Sequence, residues 1–121
     1  MENVSNLDRL ESIKSLQSTI SKLENALSQM TQKGVNITLV KKRLKAVRIG
    51  LAILENVWDQ RPHQYTQIDV VEARDVLIDL LPVIENSYAK SKSGSPQRTL
   101  LERRIKALEL ALQAIENLSN S

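Results

Sequence analysis

The chain has 121 residues, a formal net charge of +3 and no cysteine. It is long enough to bury the core of one domain, and without cysteine it has no disulfides, zinc–thiolate sites or thiol nucleophiles. No apolar run approaches the roughly 20 residues that span a bilayer, and the polar, acidic N-terminus is unlike a secretory signal, so we expect a cytoplasmic protein.

The first half of the chain predicts two helices. Hydrophobic residues make up 41% of the sequence and are almost all aliphatic, which is typical of a helical protein. A first helix is predicted over about residues 7–33, where hydrophobic residues step by three and four positions and Gly34 follows as a natural helix end. A second helix is predicted over about 37–60, and Pro62 breaks it.

The second half predicts two more helices of similar length. The third is expected over about residues 67–91, with Thr66 as its cap and Asp69 in its first turn. A flexible turn of Lys, Ser and Gly follows. Ser95 is then placed to cap a fourth helix over about 96–118.

The chain repeats itself at an offset of 61 residues. Residues 39–57 align with residues 100–118, with matching Leu, Arg, Lys, Ala, Glu and Asn at corresponding positions. Any two amphipathic helices align on their apolar positions, so chance similarity is the alternative to duplication. We predict an all-α, antiparallel up-down-up-down four-helix bundle, one domain over residues 1–121, built as a duplicated helical hairpin over 1–61 and 62–121.

Positive charge gathers at the starts of the second and fourth helices, and the alternating bundle would bring these two segments together. Cations at a helix N-terminus oppose the helix dipole by roughly 0.3–1 kcal/mol each when exposed, and breaking a local preference is a mark of functional surfaces. We call this predicted cluster the basic pole. It consists of Lys41, Lys42, Arg43, Lys45, Arg48, Arg98, Arg103, Arg104 and Lys106.

The basic pole predicts an anionic partner. An acidic segment of a protein is the partner we favour. Nucleic acid is the alternative, but no aromatic residue for base stacking lies among the nine cations. A membrane surface is disfavoured because no helix joins a basic face to Trp or Phe on its other face. The remaining alternative is that the cations only keep the surface solvated.

Two helices carry a second row of hydrophobic residues. If these rows fit inside the bundle they are core, which is the interpretation we favour. If they protrude, they form a partner or homodimer surface, with the tryptophan as its anchor. The residues are Ile49, Ile53, Val57 and Trp58 on the second helix and Val76, Leu80 and Val83 on the third.

No residue pattern indicates catalysis, a metal site or a cofactor. His63 is the single histidine and lies in a Pro-containing loop without a recognisable nucleophile motif. Carboxylates follow one another along the third helix, but a di-metal bundle would need histidines within helices. We interpret them as a solvated acidic face. The alternative is that this face pairs with the basic pole of a second copy in head-to-tail association.

The sequence therefore predicts a non-enzymatic helical binding or adaptor protein that docks a macromolecule through the basic pole. A nucleic-acid-associated regulator that uses the same cations is the alternative. A small immunity-type protein, or one that binds an anionic membrane surface, is a further alternative.

Overall fold

The computed structural model describes residues 4–119, without the side chain of Ser119, and these residues form four α-helices. The helices are α1 (Asn6–Lys33), α2 (Thr38–Asp59), α3 (Gln67–Lys90) and α4 (Pro96–Ser119). Each helix packs against the next one along the chain, so the predicted all-α four-helix bundle is confirmed.

Local capping explains where most of the helices begin and end. Ser5 Oγ accepts a hydrogen bond from the first turn of α1 at 3.0 Å, and Ser95 Oγ does the same for α4 at 3.1 Å. Thr66 and Asp69 form a reciprocal capping box at the start of α3. Gly34 ends α1 in the left-handed region, at φ 70°, which glycine adopts without strain. The caps at Gly34, Thr66 and Ser95 lie where the sequence predicted them.

Each half of the chain folds into an antiparallel hairpin. Connections of four and five residues join α1 to α2 and α3 to α4. Arg48 of α2 pairs with Glu24 of α1, and Arg74 of α3 pairs with Glu116 of α4 at 3.4 Å. Each contact joins the first half of one helix to the second half of its neighbour, as antiparallel neighbours require.

The two hairpins meet in a different direction from the one that the sequence analysis expected. Lys45, near the start of α2, pairs with Asp69, at the start of α3, at 3.3 Å. Lys106 of α4 pairs with Asp8, at the start of α1, at 3.0 Å. In an alternating bundle Lys45 and Asp69 would lie about 18 Å apart along the helix axes. Further along both helices, Gly50 of α2 lies beside Leu77 of α3, so the contacts advance in the same sense along α2 and α3. Thus α2 runs parallel to α3. Because each hairpin is antiparallel, α1 then runs parallel to α4, and the directions are up, down, down, up.

The connection between the hairpins is long enough for this arrangement. Residues 60–66 contain no helix or turn and must return along the bundle by about 20 Å to start α3 beside the start of α2. Seven extended residues can span about 24 Å. Their His63 and Tyr65 line a small cavity together with Ile53, in the last third of α2, and with Gln67, Val70 and Val71 at the start of α3. The segment therefore lies along the bundle and is not a tight turn.

Helices α2 and α4 approach each other closely across the centre of the bundle. A Cβ atom on Gly50 would lie 3.3 Å from the Cβ of Ala111 and 3.5 Å from Leu77 Cδ1. Ala46 and Ala107 are buried beside this point. Small residues let two helix backbones come together, while α1 and α3 have no contact among the described residues. Gly50 and Ala111 are also equivalent positions of the 61-residue repeat.

All four helices contribute to one core. Burying a large aliphatic side chain contributes about 1.5–3 kcal/mol, so these residues are the main source of stability. The largest fully buried side chains are Leu16, Val47, Ile49, Ile53, Leu54, Leu77, Leu108 and Ile115.

Candidate binding surface

The two segments of the predicted basic pole lie at opposite ends of the molecule. Residues 41–48 lie beside the start of α3, as the contact between Lys45 and Asp69 shows. Residues 98–106 lie beside the start of α1, where Lys106 meets Asp8. Because the hairpins are not arranged in alternation, the nine cations do not form one surface. The expectation of a single basic pole is corrected accordingly.

Most cations of the 98–106 segment are held by groups of the protein itself. The Arg98 guanidinium lies 4.1 Å from the ring centre of Tyr88 and donates to the carbonyls of Tyr88 and Ser91, each at 3.1 Å. Arg103 pairs with Glu11 at 3.6 Å. These side chains stabilise the contacts of α4 with α3 and α1.

The start of α1 gains from the same contacts. The hydrogen bond from Lys106, with smaller contributions from its charge and from Ser5, lowers the pKa of the Asp8 carboxyl. At the equivalent site, the Thr66 backbone N–H and Lys45 lower the pKa of Asp69. Both carboxylates therefore stay ionised to lower pH than usual, and their negative charge stabilises the helix N-termini at which they lie.

Arg104 is a core residue and not a surface cation. Only 3% of its surface is exposed, and burial lowers the pKa of its guanidinium. Its Nε has no hydrogen-bond partner, and no carboxylate of residues 4–119 forms an ion pair with it. Its assignment to a binding surface is therefore corrected: α4 turns this side chain inward, on the face that also carries Leu101 and Leu108.

The 41–48 segment forms a groove with α1. Lys41, Lys42, Lys45 and Arg48 line an open groove of about 390 Å³. Its apolar lining comes from Leu27 of α1 and from Leu44 of α2, which is buried. We call this site the α1–α2 groove. Arg43, the fifth cation of the segment, is half-buried and is not part of its lining.

Two of the four groove cations are free of acidic partners. Arg48 pairs with Glu24, and Lys45 pairs with Asp69. Lys41 and Lys42 are exposed, and no carboxylate in the described part of the chain pairs with either. The groove therefore keeps positive charge that the fold does not neutralise.

The start of α2 adds to this positive potential. Ile37 occupies the cap position and makes no side-chain capping bond, and the first turn carries no acidic residue. Asn36 Oδ1 accepts one hydrogen bond, from the backbone of Thr38 at 2.8 Å. The partial positive charge of the helix start thus lies next to Lys41 and Lys42.

The second hairpin does not reproduce the α1–α2 groove. At an offset of 61 residues, Lys41 corresponds to Glu102 and Arg48 to Glu109. The residue corresponding to Leu27 is Tyr88, whose ring is covered by Arg98. The scaffold contacts recur in both halves, whereas the counterparts of the unpaired Lys41 and Lys42 are Glu102, which is acidic, and Arg103, which is paired with Glu11.

The predicted partner rows are divided between the core and the surface. Ile49, Ile53, Trp58 and Leu80 are buried, so they cannot form a docking surface in this fold, and the core alternative holds for them. Val57 and Val76 are partly buried against the same core. Val83 is the exposed member of the set, at 44%. These rows therefore do not form a continuous apolar face.

Sequence reasoning missed Leu27 as part of a site, since it was interpreted only as one step of the apolar row of α1. Leu27 could have been found only by combining two observations, namely a leucine on α1 and the four cations of α2 that lie opposite it. Sequence reasoning also missed three exposed hydrophobic positions that recur in both halves, although comparing the two copies position by position would have found them. The residues are Leu7, Leu10, Leu39, Ile68, Val71 and Leu100.

The remaining sequence candidates have structural roles or none. His63 Nδ1 accepts from the backbone N–H of Tyr65 at 3.2 Å, and the two rings stack with centres 6.0 Å apart. Within residues 4–119, no group of three or more His, Asp or Glu side chains could hold a metal ion. No helix in the described range is both long and apolar enough to cross a membrane.

Comparison of the chain with protein-family models, with curated proteins and with solved structures finds no match.

Proposed function

We propose that this protein is a non-enzymatic binding or adaptor protein that docks an acidic segment of a partner protein in the α1–α2 groove. The observation that carries the proposal is that Lys41, Lys42, Lys45 and Arg48 line one groove with an apolar lining. Charge of one sign around apolar side chains suits a segment that carries both carboxylates and aliphatic residues.

A protein segment fits this groove better than nucleic acid does. No aromatic residue lines it, so bases would have nothing to stack on. Leu27 and Leu44 offer contacts to aliphatic side chains, which phosphate and sugar do not use. The groove is also short, since it extends over only two turns of α2, whereas nonspecific nucleic-acid binding relies on longer basic tracks.

The test is the binding of a fluorescein-labelled, Glu-rich amphipathic peptide, with Leu every third or fourth residue, measured by fluorescence anisotropy. We expect the double variant Lys41→Glu/Lys42→Glu to bind at least about tenfold more weakly, because reversing two unneutralised charges repels the carboxylates. Far-UV circular dichroism should be unchanged, since both side chains are exposed and lack partners.

The matched control is Lys90→Glu/Lys92→Glu. This pair changes the net charge by the same amount at exposed positions at the other end of the molecule. It should bind the peptide as well as the parent does. An equal loss in both variants would show nonspecific attraction by net charge, and tighter binding of a single-stranded oligonucleotide, lost in the Lys41/Lys42 variant, would favour the nucleic-acid alternative.

A further inference from the structure

Exposed hydrophobic side chains recur in the two halves of the chain. Leu7 is 63% exposed and corresponds to Ile68, which is 70% exposed. At the same offset of 61 residues, Leu10 corresponds to Val71 and Leu39 to Leu100, and all four are exposed. Single exposed apolar residues are ordinary, but the repetition of three of them in both halves indicates a surface with a common use.

Three of these six side chains line one groove. Leu7 and Leu10 of α1 and Leu100 of α4 line an open depression of about 390 Å³ between these parallel helices. Lys14, Arg103 and Glu11 also line it, and Glu11 pairs with Arg103, so Lys14 is its unpaired charge. We call this site the α1–α4 patch.

The equivalent residues lie between the other pair of parallel helices. Leu39 is at the start of α2, and Ile68 and Val71 are in the first two turns of α3. The ion pair between Lys45 and Asp69 joins these helix starts in the way that Lys106 and Asp8 join α4 and α1. The groove between these two helices is lined by three carboxylates, Asp69, Glu72 and Asp75, and by two cations, Lys42 and Lys45. We call Leu39, Ile68, Val71, Asp75 and Asp79 the α2–α3 patch.

The two patches share their apolar residues but differ in charge. Lys14 lines the α1–α4 patch, is exposed and has no acidic partner among the described residues. Its counterpart in the second half is Asp75, whose side chain is 70% exposed and whose one ion pair, at 3.6 Å, is to the adjacent Arg74. Ser18, also in the lining of the α1–α4 patch, corresponds to Asp79. The α1–α4 patch is therefore the more basic and the α2–α3 patch the more acidic.

We propose that the α1–α4 patch of one copy of this protein docks on the α2–α3 patch of a second copy. Apolar residues of similar size would face each other, and Lys14 of one copy would lie near Asp75 of the other. Two α1–α4 patches, or two α2–α3 patches, would repel each other or lack this pairing of opposite charges. Docking of an α1–α4 patch on an α2–α3 patch is therefore favoured. Because the two patches lie at opposite ends of the molecule, each added copy leaves one patch free, and association is head to tail and open-ended.

Sedimentation velocity tests this contact on the full chain over a range from about 1 µM to about 1 mM. The parent should form species larger than a dimer as concentration rises, and added salt should weaken them. Leu10→Glu blocks the α1–α4 patch, and Val71→Lys blocks the α2–α3 patch. Each variant alone should stay monomeric, whereas an equimolar mixture should give a 1:1 dimer and nothing larger, since each variant retains the patch that the other lacks.

A charge exchange tests the pairing itself. Lys14→Asp should weaken association at least about fivefold, and adding Asp75→Lys in the same chain should restore it. Lys22→Asp, on an exposed part of α1 outside the patch, is the control for net charge and should associate like the parent. Thermal melts of each variant show whether it is folded.

Three results would overturn the proposal. They are a parent that stays monomeric at about 1 mM, an equimolar mixture that forms no heterodimer although both variants are folded, and an Asp75→Lys change that fails to rescue Lys14→Asp. None of them bears on the α1–α2 groove, whose peptide binding is measured on monomer at low concentration.

Discussion

Arg104 is the residue whose position departs most from expectation. It and Arg103 are neighbours of the same type, yet Arg103 reaches Glu11 at the surface while Arg104 is buried without a partner. Taking a cation out of water costs several kcal/mol when no carboxylate compensates it. Residue type indicated a surface cation. In the structure, residues 101, 104 and 108 share a buried face of α4, so position on the helix and not residue type decides where Arg104 lies.

Replacing this cation should therefore stabilise the protein. We expect Arg104→Met to raise the free energy of unfolding by about 1–3 kcal/mol, because methionine fills similar space without a charge to desolvate. Chemical denaturation at pH 7 measures it. Arg103→Met is the matched control and should change stability by less than about 1 kcal/mol, as exposed ion pairs do. A destabilised Arg104→Met variant would mean that the guanidinium makes a compensating contact.

At the scale of helices, equivalent residues of the two halves make equivalent contacts. The second helix of each half contacts the first helix of the other half. Lys45 holds the start of α3, and Lys106 holds the start of α1. Gly50 and Ala111, also equivalent, meet where α2 crosses α4. Two hairpins related by a twofold rotation would produce this pattern, and duplication of one hairpin stays a prediction.

Chemical cross-linking can check the parallel pairing of helices. A carbodiimide joins a lysine amine to a carboxylate in contact through an amide bond with loss of water. In the monomer band, peptide mass spectrometry should find Lys45 linked to Asp69 and Lys106 linked to Asp8, because these pairs lie 3.3 and 3.0 Å apart. Asp69→Asn should remove the first link and leave the second. Links from Lys45 to Asp79 or Glu85 would instead indicate an alternating bundle.

For the whole molecule, the connection over residues 60–66 decides which charges meet. An alternating bundle would place all nine cations of the basic pole at one end. The observed arrangement separates them and sets each group beside the acidic start of a neighbouring helix. Among the exposed members of the nine, Lys41 and Lys42 are the two without an acidic partner in the described residues, and both line the α1–α2 groove.

Shortening this connection should strongly destabilise the fold if the connection runs along the bundle. Deleting residues 62–64 leaves four residues, which reach about 14 Å at most and cannot cover the required distance of about 20 Å. We expect the cooperative thermal transition of the monomer to be lost. Replacing the same three residues by glycine keeps the length and should retain that transition. A deletion variant that melts within a few degrees of the parent would indicate a tight hairpin instead.

The sequence by itself determined the four helices and most of their ends. Capping residues such as Ser5, Gly34 and Thr66 act within one turn, and apolar spacing shows which face is buried, so both can be recognised in a single stretch of chain. It also indicated which segments carry positive charge. Neither signal depends on how distant parts of the chain are arranged.

Only the tertiary structure decided how the two hairpins meet. Seven residues can form a hairpin turn or extend along the bundle, and nothing local distinguishes the two. The choice rests on long-range contacts, chiefly the close approach of Gly50 to Ala111 and the ion pairs of Lys45 and Lys106. Those contacts turned one predicted basic pole into a groove on α1 and α2, because a charge cluster is defined by neighbours in space and not by neighbours in sequence.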